Sequence, residues 1–128
     1  SGDWIRPMSE TLYERLGGED AIAAVVDEFY DRVVADEQVA YYFEDVDMQQ
    51  QRAHQTQFIS SVAGGPIEYS GDDMKTAHDH LGITPSEFEA IATHLGDALA
   101  VFDVDEDDRQ AVLEAVAGYQ DDIVTAAD

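Results

Sequence analysis

The chain has 128 residues, with 29 aspartates and glutamates against six lysines and arginines for a formal net charge of −23, four histidines and no cysteine. That length suits one domain burying roughly two thirds of its unfolded surface. The lack of cysteine excludes a disulfide framework, a thiolate metal site and a thiol nucleophile, and the scarcity of lysine and arginine excludes nucleic acid as a partner.

Acidity of this degree also accompanies disorder, but 45% of the residues are hydrophobic and fall in regular stripes, which argues for a packed core. Acids on every solvent face then read as those of a halophile's cytoplasmic protein, working in molar salt where the screening length shrinks to about 3 Å. No apolar run approaches the roughly 18 residues of a membrane helix, and no signal-peptide layout opens the chain. Residues 1–8, "SGDWIRPM", read as a short leader or a remnant of expression ahead of a single domain over residues 9–128.

The predicted elements are helices. Leu12–Leu16 makes a short first one, stopped by Gly17 and Gly18. Over residues 20–35, Ile22, Val25, Val26, Phe29, Tyr30 and Val33 follow a 3.6-residue period, with Tyr30 inside the apolar stripe. A turn over residues 39–43 precedes a helix over residues 48–63, whose face carries Met48, Gln51, Gln55, Phe58, Ile59 and Val62. Residues 64–73, rich in glycine, form a loop. Met74, Ala77, His78 and Leu81 then share one stripe, from which His80 diverges by roughly 160°. "TPSE", residues 84–87, is a capping box with proline in the first helical position, leading into Phe88, Ile91, Ala92, Leu95, Leu99 and Phe102. A last helix over residues 107–126 buries Val112, Leu113, Val116, Ile123 and Val124. The class is all-α, with five or six helices.

Tyr30, Gln51, Gln55 and His78 are polar residues on faces that should be apolar. Burying them unpaired costs about 1–3 kcal/mol each, so they pair with one another or line an occupied cavity. A lone histidine on an apolar stripe is more often a packed core residue than a ligand, and both readings stay open here. His78 alone cannot build a zinc site, and His54 and His94 sit at stripe edges as solvated or flanking residues. One histidine does suffice where a porphyrin brings the other ligands. Residues 103–114 carry acids at several EF-hand positions, but Asp108 stands where the loop needs glycine.

Over residues 11–125 the chain resembles the group I truncated haemoglobins, the two-over-two helical globins. "LYERLGGEDAIAAVVDEFYDRVVAD" resembles their first helix, glycine stop and second helix ending in a Phe-Tyr pair. "AGGPIEYSGDDMKTAH" resembles their second glycine motif and proximal-histidine segment, and "HLGITPSEFEAIATHLGDAL" resembles the stretch next to it in that family. The resemblance implies a truncated two-over-two globin fold that binds haem b (iron protoporphyrin IX), with His78 as the proximal iron ligand and Tyr30, Gln51 and Gln55 as distal groups that stabilise the gas ligand. Phe43 is implied to pack on the haem. Phe58 and Ile59 match a pair lining the family's apolar tunnel, and Ile59 departs from the aromatic residue common there. Met74 and Ile91 are expected against the haem, Lys75 and Arg52 at its propionates, and His80 in solvent or at the haem edge.

Such a protein is expected to bind oxygen, nitric oxide and carbon monoxide and to support conversion of nitric oxide to nitrate with an external reductase, as a monomer or weak dimer. Two distal donors worth about 1.5–3 kcal/mol each would slow oxygen release by about two to four decades. The rival readings are a gas store or sensor without turnover, and a haem-free acidic helical interaction protein in which His78 is merely packed.

Overall fold

Thr11 accepts a hydrogen bond from the Glu14 backbone N–H (3.1 Å) and so starts α1 (Leu12–Leu16), at the head of a computed structural model that describes residues 11–66 and 71–128. The leader expected over residues 1–8 and the middle of the loop expected over residues 64–73 lie outside the described residues. Gly17 ends α1 in the left-handed region at φ 104°, where a Cβ would also come within 2.9 Å of the Ala21 Cβ. Only glycine meets both demands.

α2 (Gly18–Val34) buries Ile22, Val25, Val26, Phe29, Tyr30 and Val33, the stripe read from the period. A 3-10 helix (Ala40–Phe43) leads to α3 (Met48–Val62), whose first turn is capped by the Asp47 carboxylate accepting from the N–H groups of Gln49 and Gln50. After α3 the chain turns under α1. The Gly65 N–H donates to the Ser60 carbonyl (2.8 Å), and a Cβ there would sit 2.6 Å from the Tyr13 ring.

α4 (Gly71–His78) is followed by α5 (Pro85–Val101), which opens on the full Thr84–Glu87 capping box. α6 (Glu106–Ala117) and α7 (Gln120–Ile123) complete the chain. α2 packs on α3 and α5 on α6, and the two pairs stack through α2 on α5 and α3 on α6. This is the two-over-two arrangement. α4 packs chiefly on α7 rather than on α2 or α3, which leaves space between His78's helix and the sandwich.

Four expectations are corrected. The loop expected over residues 64–73 ends sooner, since α4 begins at Gly71. The last helix is two helices, because the chain turns at Gly118 and Tyr119 and becomes extended at Val124; there the N–H groups of Thr125 and Ala126 donate to the Ile83 carbonyl (3.0 and 3.2 Å). Phe102 is 46% exposed, since α5 ends one residue before it. Seven α-helices and one 3-10 helix stand among the described residues where five or six helices were expected. The acidic segment over residues 103–114 is helical from Glu106 onward, so no twelve-residue loop exists there to wrap a calcium ion. No helix among the described residues is long and apolar enough to cross a membrane.

Candidate functional site

α4 ends at His78, and its last turn fixes that imidazole. The Nδ1 nitrogen lies 2.7 Å from the Met74 carbonyl oxygen one turn back. A carbonyl only accepts, so Nδ1 carries the proton and Nε2, across the ring, keeps the lone pair. Burial pushes the His78 pKa below its ordinary value and nearby His80 acts in the same direction, against the opposing pull of the Met74 bond. The ring is therefore neutral near pH 7, as metal ligation requires.

His78 lines a cavity of about 270 Å³ whose other walls come from α2, α3, α5, α6, α7 and the 3-10 helix. From α2 comes Tyr30, 2% exposed, and from α3 comes Gln51, whose Nε2 donates to the Tyr30 hydroxyl oxygen at 3.0 Å. A hydroxyl that accepts a hydrogen bond is polarised into a better donor, so the pair acts as one cooperative unit. Phe29 and Phe43 meet the Tyr30 ring edge-on, at centroid distances of 4.8 and 5.6 Å. Gln55, one turn beyond Gln51, lines the same space. Leu95, Phe88 and Ile123 make the floor apolar.

Of the residues singled out from the sequence, Tyr30, Phe43, Gln51, Gln55, Phe58, Met74, His78 and Ile91 converge on this cavity. Three do not. Ile59 is packed in the core at 1% exposure, outside the lining. Lys75 is exposed on α4. Arg52 donates to the Asp27 and Asp31 carboxylates of α2 at 3.1 Å each and is outside the lining. His80 is exposed and lines the cavity as well, because α4 stops at His78 and the 160° divergence of a continuing helix does not apply.

Among the polar wall residues, sequence reasoning missed two. His54, set aside as solvated or flanking, is exposed and also lines the cavity. Tyr42 lines it too, donating its hydroxyl to Glu87 at 2.8 Å. The capping box identified Glu87, but nothing in the local pattern paired it with a tyrosine 45 residues earlier. His94, the fourth histidine, bonds Asp36 at 2.7 Å.

These walls fit a haem. Among the described residues no three His, Asp or Glu side chains gather to hold a bare metal ion, whereas a group bringing four ligands of its own needs one neutral imidazole. In a chain with 29 acids, none of the described lining residues is Asp or Glu. An anionic cofactor thus meets no carboxylate inside.

Comparison with known proteins agrees with this geometry. Residues 11–125 match the family model described as bacterial-like globin. A group 1 truncated haemoglobin of Synechocystis is 43% identical over 84% of this chain and 90% of its own length. One from Mycolicibacterium paratuberculosis is 37% identical over 90% of this chain and 85% of its own. In structure, the Fe(III) truncated haemoglobin of Tetrahymena pyriformis superposes with a TM-score of 0.84 at 34% identity, over 90% of this chain and 98% of its own.

Proposed function

This chain belongs to the bacterial-like globins, among the group 1 truncated haemoglobins, and we propose that its haem- and oxygen-binding fold serves to convert nitric oxide to nitrate. The observation that carries the reading is the Gln51–Tyr30 hydrogen bond, set in the same apolar cavity as the neutral His78. Haem b, the form we assign, supplies when bound a ferrous centre that takes oxygen and oxidises nitric oxide at the expense of one electron, which an external reductase returns.

The residues divide that work. His78 would hold the iron through Nε2, its ring fixed by the Met74 carbonyl. Tyr30 O–H and the amide N–H groups of Gln51 and Gln55 are the donors that a gas ligand held in this cavity would meet. Charge-assisted donors retain oxygen, which suits chemistry on it better than quick delivery. Phe43, Phe58 and Leu95 keep that space apolar, which limits water and strengthens each polar contact inside. Phe58 is the residue of the expected tunnel pair that reaches the cavity, and it is the one we assign to gas passage. The exposed acids support a setting of high salt, and we assign the protein to the cytoplasm.

The test mixes the oxygenated ferrous protein with nitric oxide in a stopped-flow cell and counts nitrate. One nitrate per haem within the mixing experiment, sustained once an electron donor is added, is the expected result. Oxygen leaving unreacted, with no nitrate formed, would sink the turnover reading and favour the gas store.

A further inference from the structure

Arg52 lies against the back of the distal tyrosine. Its Nη1 donates to the Asp27 carbonyl (3.0 Å) and carboxylate (3.1 Å), and its Nη2 to the Asp31 carboxylate (3.1 Å). Asp27 and Asp31 are one turn apart on α2 and bracket Tyr30. Between them the guanidinium carbon stands 5.8 Å from the Tyr30 ring centroid. Gln51, the neighbour of Arg52 on α3, is the residue whose amide reaches the Tyr30 hydroxyl.

This placement has two physical effects. A planar fork with three hydrogen bonds fixes α3 on α2 at the turn that carries Gln51, which keeps its amide within reach of Tyr30. A positive charge over the ring also favours negative charge on the phenol oxygen, which makes Tyr30 O–H the stronger donor. Stability is the lesser effect, since the Asp27 and Asp31 side chains are 62% and 69% exposed and such ion pairs contribute little.

We propose that Arg52 is a positioning residue of the distal site, acting through Tyr30 to set how long a gas ligand stays. The proposal rests on the haem-globin reading of the cavity. It gives Arg52 a role in ligand chemistry from outside that cavity.

The experiment uses the haem-loaded full chain in molar salt, with oxygen dissociation followed by stopped flow and the C–O stretch of the carbon monoxide complex by infrared. Arg52→Gln is expected to speed dissociation about two- to fivefold, the size of a partly exposed cation–π contact. It should move the C–O band in the direction that Tyr30→Phe moves it, by less, with little change in melting temperature. Arg52→Lys, which keeps the charge and loses the fork, should recover part of both. In the double variant with Tyr30→Phe, dissociation should be no faster than in Tyr30→Phe alone.

An Arg52→Gln protein with native rate and band, beside a fast Tyr30→Phe, overturns the proposal and leaves the distal-donor reading standing. Additive rates in the double variant overturn it as well, since Arg52 would then act by another route. If Tyr30→Phe itself changes nothing, the distal-donor reading falls and takes this proposal with it. Should Arg52→Gln fail to load haem, Asp31→Asn removes one arm of the fork at an exposed position. Because this change also removes a negative charge beside Arg52, faster dissociation assigns the effect to the fork, slower dissociation assigns it to the charge over the ring, and an unmoved band and rate overturn the proposal.

Discussion

The Glu87 carboxylate accepts the Tyr42 hydroxyl at 2.8 Å, so a buried acid on α5 holds a phenol ring in the cavity wall. The same carboxylate takes the Tyr41 hydroxyl and, at 3.0 Å, the Thr84 N–H. One side chain thereby fastens the 3-10 helix, with Phe43 on it, to the corner beyond His78. The two sides of the cavity are joined at that point.

Replacing Glu87 by alanine removes the capping box, frees the exposed Tyr41 hydroxyl to water and leaves the half-buried Tyr42 hydroxyl with only a long 3.5 Å contact to the Gly82 carbonyl. Unpaired polar groups of this kind cost about 1–3 kcal/mol, and at about 4 °C per kcal/mol for a domain of this size the melting temperature should fall by about 4–12 °C. Haem transfer to an acceptor globin should quicken in step, with Glu87→Gln falling between. Native melting and haem retention in Glu87→Ala would show the clasp to be idle.

Acid should release the same clasp. Burial raises the Glu87 pKa, yet the hydrogen bonds from Tyr41, Thr84 and Tyr42 outweigh it and hold the group below its ordinary 4.5. Asp36 is likewise held below 3.8, chiefly by His94 and by the Gln38 N–H. A depressed folded pKa means that the unfolded chain binds more protons. The stabilisation from these two groups is therefore fully present above about pH 4.5 and is lost as pH falls through their folded values. Chemical denaturation from about pH 7 to about pH 3 should give a stability that falls below that point, less steeply in Glu87→Gln. Identical slopes in the two proteins would remove Glu87 from the account.

At the distal site, Tyr30→Phe deletes one donor and the acceptor of the Gln51 amide. A charge-assisted hydrogen bond of about 1.5–3 kcal/mol corresponds to oxygen dissociation at least about tenfold faster, read by stopped flow. On the His78 side, His78→Ala should abolish stoichiometric haem uptake, and added imidazole should restore part of the haem absorption band. Full haem binding in His78→Ala without imidazole would return that residue to the status of core packing.

Salt bears on the whole surface. With a formal charge of −23, going from molar salt to about 0.1 M lengthens the screening distance from about 3 to 10 Å and lets the acids repel across the molecule. The melting temperature and haem retention should both fall. A melting curve that does not move over this range would count against a high-salt setting.

Much of this is legible along the chain. The α2 stripe reads correctly to the residue because its buried face repeats every 3.6 positions, and the α5 start because a capping box is a local device. Tyr30 and His78 stand out as polar residues on apolar stripes. Gln51 and Gln55 do so for the same reason.

What local spacing does not carry is the partner on another element. The resemblance puts Arg52 at the propionates, and here its side chain runs to Asp27 and Asp31, two carboxylates on another helix. His80, expected in solvent or at the haem edge, is exposed and lines the cavity because α4 stops at His78. The break at Gly118 and the exposure of Phe102 are helix ends, where tertiary contacts rather than periodicity decide.

The sequence by itself determined most of the helices, most of their buried faces and the polar residues those faces should not carry, because period, caps and glycine turns act over a few residues. The tertiary structure alone decided which of those residues meet. The 3.0 Å contact between Gln51 and Tyr30, the convergence of both with His78 on one cavity and the Glu87 clasp all join different elements. Such contacts are set by how α2 and α3 pack on α5 and α6, and pairing across that distance leaves no mark in local spacing.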